Sequence, residues 1–179
     1  MTGRWGARGA SPPEDRGAAV TVREATLADA DALVAMLVAV AGEGRWIGTE
    51  APVDVERRRR RMVAEIEGED AVVLVAEAGG EPVGQLGLHL AGYGVADLGM
   101  LVAAGWRGRG VGSALLAEAI ERARAAGAHK VALQVWPHNT AAIALYERFG
   151  FQREGYLRRH YRRRSGELWD AVVMGLPLD

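Results

Sequence analysis

The spacing of apolar and polar positions changes several times along this chain, and each change marks an element. Residues 20–23 read as a short strand. Thr26 and Asp29 then stand three apart, a capping box opening a helix to about residue 41, where Gly42 and Gly44 end it. A second helix is predicted over 53–67; it carries five successive arginines from Arg57 to Arg61 and stops at Gly68. The period then becomes that of strands. Residues 71–78 and 83–90 flank the hairpin dipeptide Gly79 and Gly80, 91–94 make the next turn, and 95–103 continue the meander.

After a glycine-rich loop over 105–112, Val111, Leu115, Leu116, Ala119, Ile120 and Ala123 fall on one helical stripe closed by Gly127. A buried-type strand at 130–136 follows, so this helix links two strands in a β-α-β unit, for which right-handed parallel pairing is expected. A helix over 139–149 and two strands joined at Ser165 and Gly166 complete one α/β domain, residues 19–179. Residues 1–18 are rich in Gly, Arg, Pro and Ala without periodicity, and the expectation there is a disordered tail.

Composition narrows the class. A length of 179 residues with 49% hydrophobic and 25% charged residues suits one globular domain. Such a domain buries roughly 70% of its unfolded surface, enough to need no metal or staple. Cysteine is absent, which removes disulfides, thiolate metal sites and a cysteine nucleophile together. The net charge of −1 is not the footprint of a nucleic-acid binder. The longest apolar stretch, 32–42, is half what a bilayer span needs, and the N-terminus has no apolar signal core. A cytoplasmic protein with no membrane partner is expected.

Candidate chemistry centres on the stretch from Trp106 to Ser113, which ends a strand and opens a helix. Glycines allow close backbone approach, and a helix N-terminus offers free N–H groups and positive dipole, a combination suited to phosphate. A nucleotide P-loop needs a lysine that Val111, Gly112 and Ser113 do not supply. A dinucleotide fingerprint needs a third glycine where Ser113 stands, and an acid near Trp136 to Asn139, where none occurs. Ser11, Ser113 and Ser165 lie in no hydrolase elbow, and the four histidines have no metal-ligand spacing.

What remains is R-x-x-G-x-G, carried by Arg107, Gly110 and Gly112. Together with the run from Asn139 through Tyr146 to Phe151, in matching order and spacing, it resembles the GNAT superfamily of N-acetyltransferases over about residues 20–178. The resemblance implies a mixed, mostly antiparallel sheet of about seven strands flanked by helices. It also implies acetyl-CoA as co-substrate, lying between two splayed parallel strands. The loop of Arg107, Gly108, Arg109, Gly110, Val111 and Gly112, helped by Ser113, would hold pyrophosphate. Met100, Leu101 and Val102 would pair with the pantetheine arm, and Asn139, Ala142 and Tyr146 would face the cofactor from one helix side.

The chemistry sets its own requirements. An amine with a pKa of about 10.4 is neutral in only about one molecule per thousand at pH 7, so its proton needs a receiver. Donors must meet the oxyanion, for which an N–H near Leu101 or Val102 is placed. The leaving thiolate needs an acid, and Tyr146 stands where the family has one. Asp97 is the candidate base, with Glu43, Glu50, His89 or a water chain as alternatives.

Two arginine runs are read differently. Arg57 to Arg61 sits among Glu56, Glu65 and Glu67 and is expected as a solvated, salt-bridged face. From Arg158 to Arg164, strand alternation would send side chains to two faces, one of them able to line a cleft for an anionic acceptor. Trp46, Trp106 and Trp169 are expected as core or interface anchors. The acceptor is a small amine, an amino acid or a protein N-terminus, and an edge in the C-terminal strands leaves room for a homodimer. The rival readings are a non-catalytic acyl-CoA sensor and an RNA- or ribosome-associated basic module.

Overall fold

A computed structural model of the chain describes residues 19–90 and 92–178. The expected tail and Ala91 of the predicted turn lie outside the described residues. Seven strands form one sheet: β1 (Thr21–Glu24), β2 (Ala71–Ala78), β3 (Glu81–Leu90), β4 (Val95–Val102), β5 (Lys130–Val135), β6 (Gln152–Arg162) and β7 (Leu168–Pro177). Their order is β1-β2-β3-β4-β5-β7-β6, antiparallel except where β4 meets β5. The expected mixed, mostly antiparallel sheet is therefore observed.

Two helices cover each face. Helices α3 (Val111–Ala125) and α4 (Thr140–Arg148) close the larger core with Leu74, Leu86, Leu88, Val131 and Met174. All six residues of the predicted stripe are buried in α3. At Gly84 on β3, an added Cβ would lie 2.8 Å from Val111 and 3.0 Å from Leu115, so glycine lets α3 approach the sheet closely. On the opposite face, α1 (Ala30–Gly42) and α2 (Val55–Glu67) enclose Leu33, Leu37, Met62, Val73, Val75 and Leu101.

Local differences from the pattern have physical causes. The helix expected from Thr26 begins with a 3-10 turn over Leu27–Asp29, where the Asp29 carboxylate accepts the Thr26 N–H at 2.7 Å. Helix α2 starts at Val55, not residue 53, because Asp54 caps it by accepting the Arg57 N–H at 2.9 Å. Strand β3 starts two residues before the expected 83, since Gly79 and Gly80, both at positive φ, leave nothing between the strands but a two-residue turn. Helix α3 starts at Val111, so Val111 and Gly112, the last residues of the loop expected over 105–112, belong to its first turn.

The alternation expected from Arg158 to Arg164 breaks: the β6–β7 register shifts between Leu157 and Tyr161, and Arg159 has φ +52°. Among the described residues no helix is long and apolar enough to cross a membrane.

Candidate active site

Strands β4 and β5 pair in parallel at Val95, Ala96 and Asp97 only. Beyond Asp97, β4 keeps its β3 partners up to Val102 while β5 pairs with β7. The two strands part there, leaving the backbone of β4 over 98–102 without a ladder on one side. A cleft of about 1010 Å³ opens along this split and runs from the α3 N-terminus to the underside of α2.

One end is the glycine loop. Gly108 and Gly110 have φ +72° and +84°, values glycine adopts without a Cβ penalty, and a Cβ on either would meet nothing within 4 Å. Gly110 occupies the N-cap position of α3 and supplies no side chain to it. Ala114 is the residue whose N–H returns to the Gly110 carbonyl, at 3.0 Å, so the N–H groups of Val111, Gly112 and Ser113 precede the first helical bond. Open space before unpartnered donors at a helix N-terminus suits an anionic ligand. The unpaired β4 edge beyond it suits an extended chain that adds like a strand.

The expected site residues do not all meet here. Met100, Leu101, Val102, Arg107, Gly108, Gly110, Gly112, Ser113, Asn139, Ala142 and Tyr146 line the cleft. Arg109 and Val111 do not: the Arg109 guanidinium lies 5.2 Å from the Trp106 ring centre, and the Val111 side chain is buried in the core. Asn139 caps α4, its side-chain oxygen accepting the Ala142 N–H at 3.3 Å, which leaves its amide donors for other partners. Tyr146 is buried against Phe151, and burial pushes its hydroxyl pKa up to about 12.

The candidate bases separate as well. Asp97 and His89 stand opposite each other in the β3–β4 register and both line the cleft. Glu43 is bound by the Arg107 guanidinium, which holds its carboxyl below the usual range, with help from the Trp46 indole N–H at 2.6 Å. Glu50 accepts the Arg164 N–H and pairs with Arg163 at 3.2 Å, outside the cleft lining.

The connection between α1 and α2 roofs the cleft with Trp46, Ile47, Gly48 and Thr49. It is anchored from three directions. Arg107 holds Glu43, His138 Nε2 meets the Arg45 carbonyl at 2.9 Å, and Arg163 donates to the Gly48 carbonyl at 3.2 Å. Arg163 is buried, its guanidinium 4.3 Å from the Trp169 ring centre. The arginines lining the cleft are Arg58, Arg61, Arg107 and Arg148, so no arginine of the run from Arg158 to Arg164, one face of which was open to that role, lies in the lining.

Pattern reading missed Arg58, Glu65, Gln85, Gly87 and Gly99, all in the lining. Glycines inside the facing strands β3 and β4 were the available signal. Among the described residues, no group of acidic or histidine side chains has the geometry for a metal.

Comparison with known proteins accords with this architecture. The description acetyltransferase (GNAT) family matches residues 35–151, and the chain belongs to that family. It is thus an enzyme of the N-acetyltransferase class. It is similar to the L-methionine sulfoximine/L-methionine sulfone acetyltransferase of Pseudomonas paraeruginosa, 29% identical over 89% of this chain and 95% of that protein. The crystal structure of ribosomal-protein-alanine N-acetyltransferase from Brucella melitensis is 31% identical, over 88% of this chain and 99% of that one, with a TM-score of 0.80. A Salmonella typhimurium acetyltransferase solved with acetyl-CoA shares the fold, at 24% identity over 89% of this chain and 94% of that one, with a TM-score of 0.79.

Proposed function

We propose that residues 19–179 are a single acyltransferase domain that moves the acetyl group of acetyl-CoA to the primary amine of a small acceptor in the cytoplasm. Donor and acceptor bind together in the one cleft. The observation that carries this reading is the continuity of two half-sites: a phosphate-suited loop with a free strand edge, and a polar hollow under α2. The open space over Gly108 and Gly110 and the free α3 donors fit a pyrophosphate, and the β4 edge fits an extended arm.

Acetyl-CoA supplies an acetyl group activated as a thioester, so that transfer to a neutral amine forms an amide and releases a thiol. The chain supplies position and protons. The N–H groups of Val111, Gly112 and Ser113 hold the pyrophosphate, with Arg107 and Arg109 adding charge nearby. Met100, Leu101 and Val102 bind the arm along the strand, and the N–H of Leu101 or Val102 donates to the acetyl oxygen. Asn139 and Ala142 face the same ligand from α4.

Asp97 takes the amine proton on a carboxylate oxygen, directly or through water, with His89 beside it. The Tyr146 hydroxyl, protonated at neutral pH and held more firmly so by its burial, donates to the sulfur. A free amino acid is the acceptor class favoured by the methionine sulfoximine acetyltransferase likeness. A protein N-terminus is the second reading, favoured by the likeness to the ribosomal-protein-alanine enzyme.

The test is a calorimetric titration with acetyl-CoA, followed by amine-dependent thiol release. Binding with a Kd of roughly 1 to 100 µM is expected. Absence of binding refutes the reading, and binding without release on any amine favours an acyl-CoA sensor.

A further inference from the structure

Three cross-strand pairs of β3 and β4 lie in a row on the sheet face beneath α2: Gln85 with Leu101, Gly87 with Gly99, and His89 with Asp97. All six residues line the cleft. Directly opposed positions share one face, so the paired glycines make a hollow in the floor between two side-chain-bearing pairs. The space is real: a Cβ on Gly99 would meet nothing within 4 Å, and one on Gly87 would meet only the His89 Nε2, at 3.6 Å. Neither glycine has a positive φ, so open space and not backbone strain distinguishes these positions.

Two residues lining this part of the cleft each carry a buried side-chain atom without a hydrogen-bond partner: Oε1 of Gln85 and Nε of Arg58. Gln85 is 7% exposed. A buried orphan costs the desolvation of its group, and one orphan acceptor with one orphan donor on residues lining the same cleft matches a ligand that offers both. The charges are also arranged. On α2, Arg58, Met62 and Glu65 follow helical spacing toward the cleft, and Glu65 is shared by Arg58 at 3.4 Å and Arg61 at 2.8 Å. Two guanidinium groups against one carboxylate leave positive charge on this wall. Asp97 places negative charge at the far end of the glycine pair.

We propose that this hollow is the acceptor seat and that it selects a free α-amino acid. The carboxylate takes the Arg58 Nε–H, and the amino group lies beside the β4 edge and donates one N–H to Gln85 Oε1. The inference rests on the acetyl-transfer reading above and adds the residues that select the acceptor, Arg58 and Gln85. A peptide or protein N-terminus carries an amide where the free amino acid carries its carboxylate, so Arg58 distinguishes the two.

The test compares kcat/KM for a panel of free L-amino acids, methionine sulfone included, with that for their α-carboxamides and N-terminal dipeptides. The wild-type chain is expected to prefer the free acids by roughly 10- to 100-fold, the value of one charge-assisted hydrogen bond. Arg58→Gln is expected to erase that preference through KM, with acetyl-CoA affinity unchanged. Gly99→Ala, whose new methyl meets no atom of the folded chain, is expected to raise acceptor KM while leaving acetyl-CoA affinity alone.

Equal use of acids, carboxamides and dipeptides overturns the proposal, as does a preference that survives Arg58→Gln. If Arg58→Gln does not fold, Gly99→Ala decides, and an unchanged acceptor KM in that variant refutes the seat. Loss of acetyl-CoA binding by the wild-type chain is a different failure, which removes the acetyl-transfer reading itself.

Discussion

Arg107 and Glu43 are joined by two parallel hydrogen bonds of 2.7 Å, and the same guanidinium donates through Nε to the Val102 carbonyl at 3.1 Å. The arginine of the loop motif thus spends its fork on the chain segment after α1 and on the end of β4. It fixes the roof of the cleft to the phosphate loop, and its charge is already matched by a carboxylate. In the proposed acetyl-CoA complex, backbone donors at α3 and not this side chain would then carry most of the affinity for the pyrophosphate.

Removing the carboxylate tests that division. Glu43→Gln leaves a free positive charge beside the loop, so acetyl-CoA affinity is expected to stay equal or tighten, read by calorimetry. A loss greater than about tenfold would show that the ion pair's geometry matters more than its charge. Stability responds in the opposite sense. The carboxyl of Glu43 is held low by Arg107, so its contribution is present above the ordinary glutamate range and fades as pH falls through the lowered value. The variant is expected to unfold more easily than wild type near neutrality, with the gap narrowing in acid.

Gly110 offers a sharper handle on the loop. Its φ of +84° is costly for an L-residue by about 1 to 2 kcal/mol, and a Cβ there would stand in open space at the N-cap of α3, with no atom within 4 Å. Gly110→Ala is expected to weaken acetyl-CoA by more than about tenfold while the chain still folds. Gly105→Ala, at an unstrained position with nothing within 4 Å, is the matched control and should bind normally.

Tyr146 yields a prediction with a defined pH window. Burial raises its pKa from 10.0 to about 12, so the unfolded chain loses this proton first as pH rises. The wild type should therefore lose stability relative to Tyr146→Phe between about pH 10 and 12, by roughly 2 kcal/mol, with no pH-dependent difference below that range. Denaturant unfolding of the pair at several pH values measures it. In the proposed mechanism the same substitution lowers kcat at neutral pH with little change in acetyl-CoA affinity.

Arg163 ties a hairpin to the roof. It pairs with Glu50, donates to the Gly48 carbonyl, and lies against Trp136 and Trp169. Arg163→Met is expected to cost about 2 to 4 kcal/mol, because Glu50 and the Gly48 carbonyl lose a partner at a buried position. Urea unfolding reads the cost. A change below about 0.5 kcal/mol would mean the roof is held by its other anchors.

Local patterns made much of the fold legible. The α3 stripe from Val111 to Ala123 is continuous and apolar, and Gly79 with Gly80 can only turn, so these elements followed from spacing alone. The candidate site residues that spacing alone points to are those where the chain itself is the instrument, in the glycine loop and in the helix capped by Asn139. The candidate site was not legible where function depends on partners distant in sequence. Arg58 is indistinguishable from its four arginine neighbours until α2 settles on the sheet. Glu43 reads as a free carboxylate until Arg107, far along the chain, meets it. Gln85 reads as an ordinary polar strand residue until burial leaves its oxygen alone. The arginines after Leu157 were misread because alternation assumes an unbroken ladder, which the register shift at Arg159 removes.

The central claim is direct acetyl transfer, and isotope tracing measures it most plainly. Acetyl-CoA carrying a deuterated acetyl group is incubated with the protein and a free amino acid, and products are followed by mass spectrometry alongside thiol release. The account predicts a deuterated N-acetyl amino acid in one-to-one yield with free thiol, strongly reduced in Tyr146→Phe. Thiol release without a labelled amide, or label retained covalently on the protein in the absence of acceptor, would contradict it.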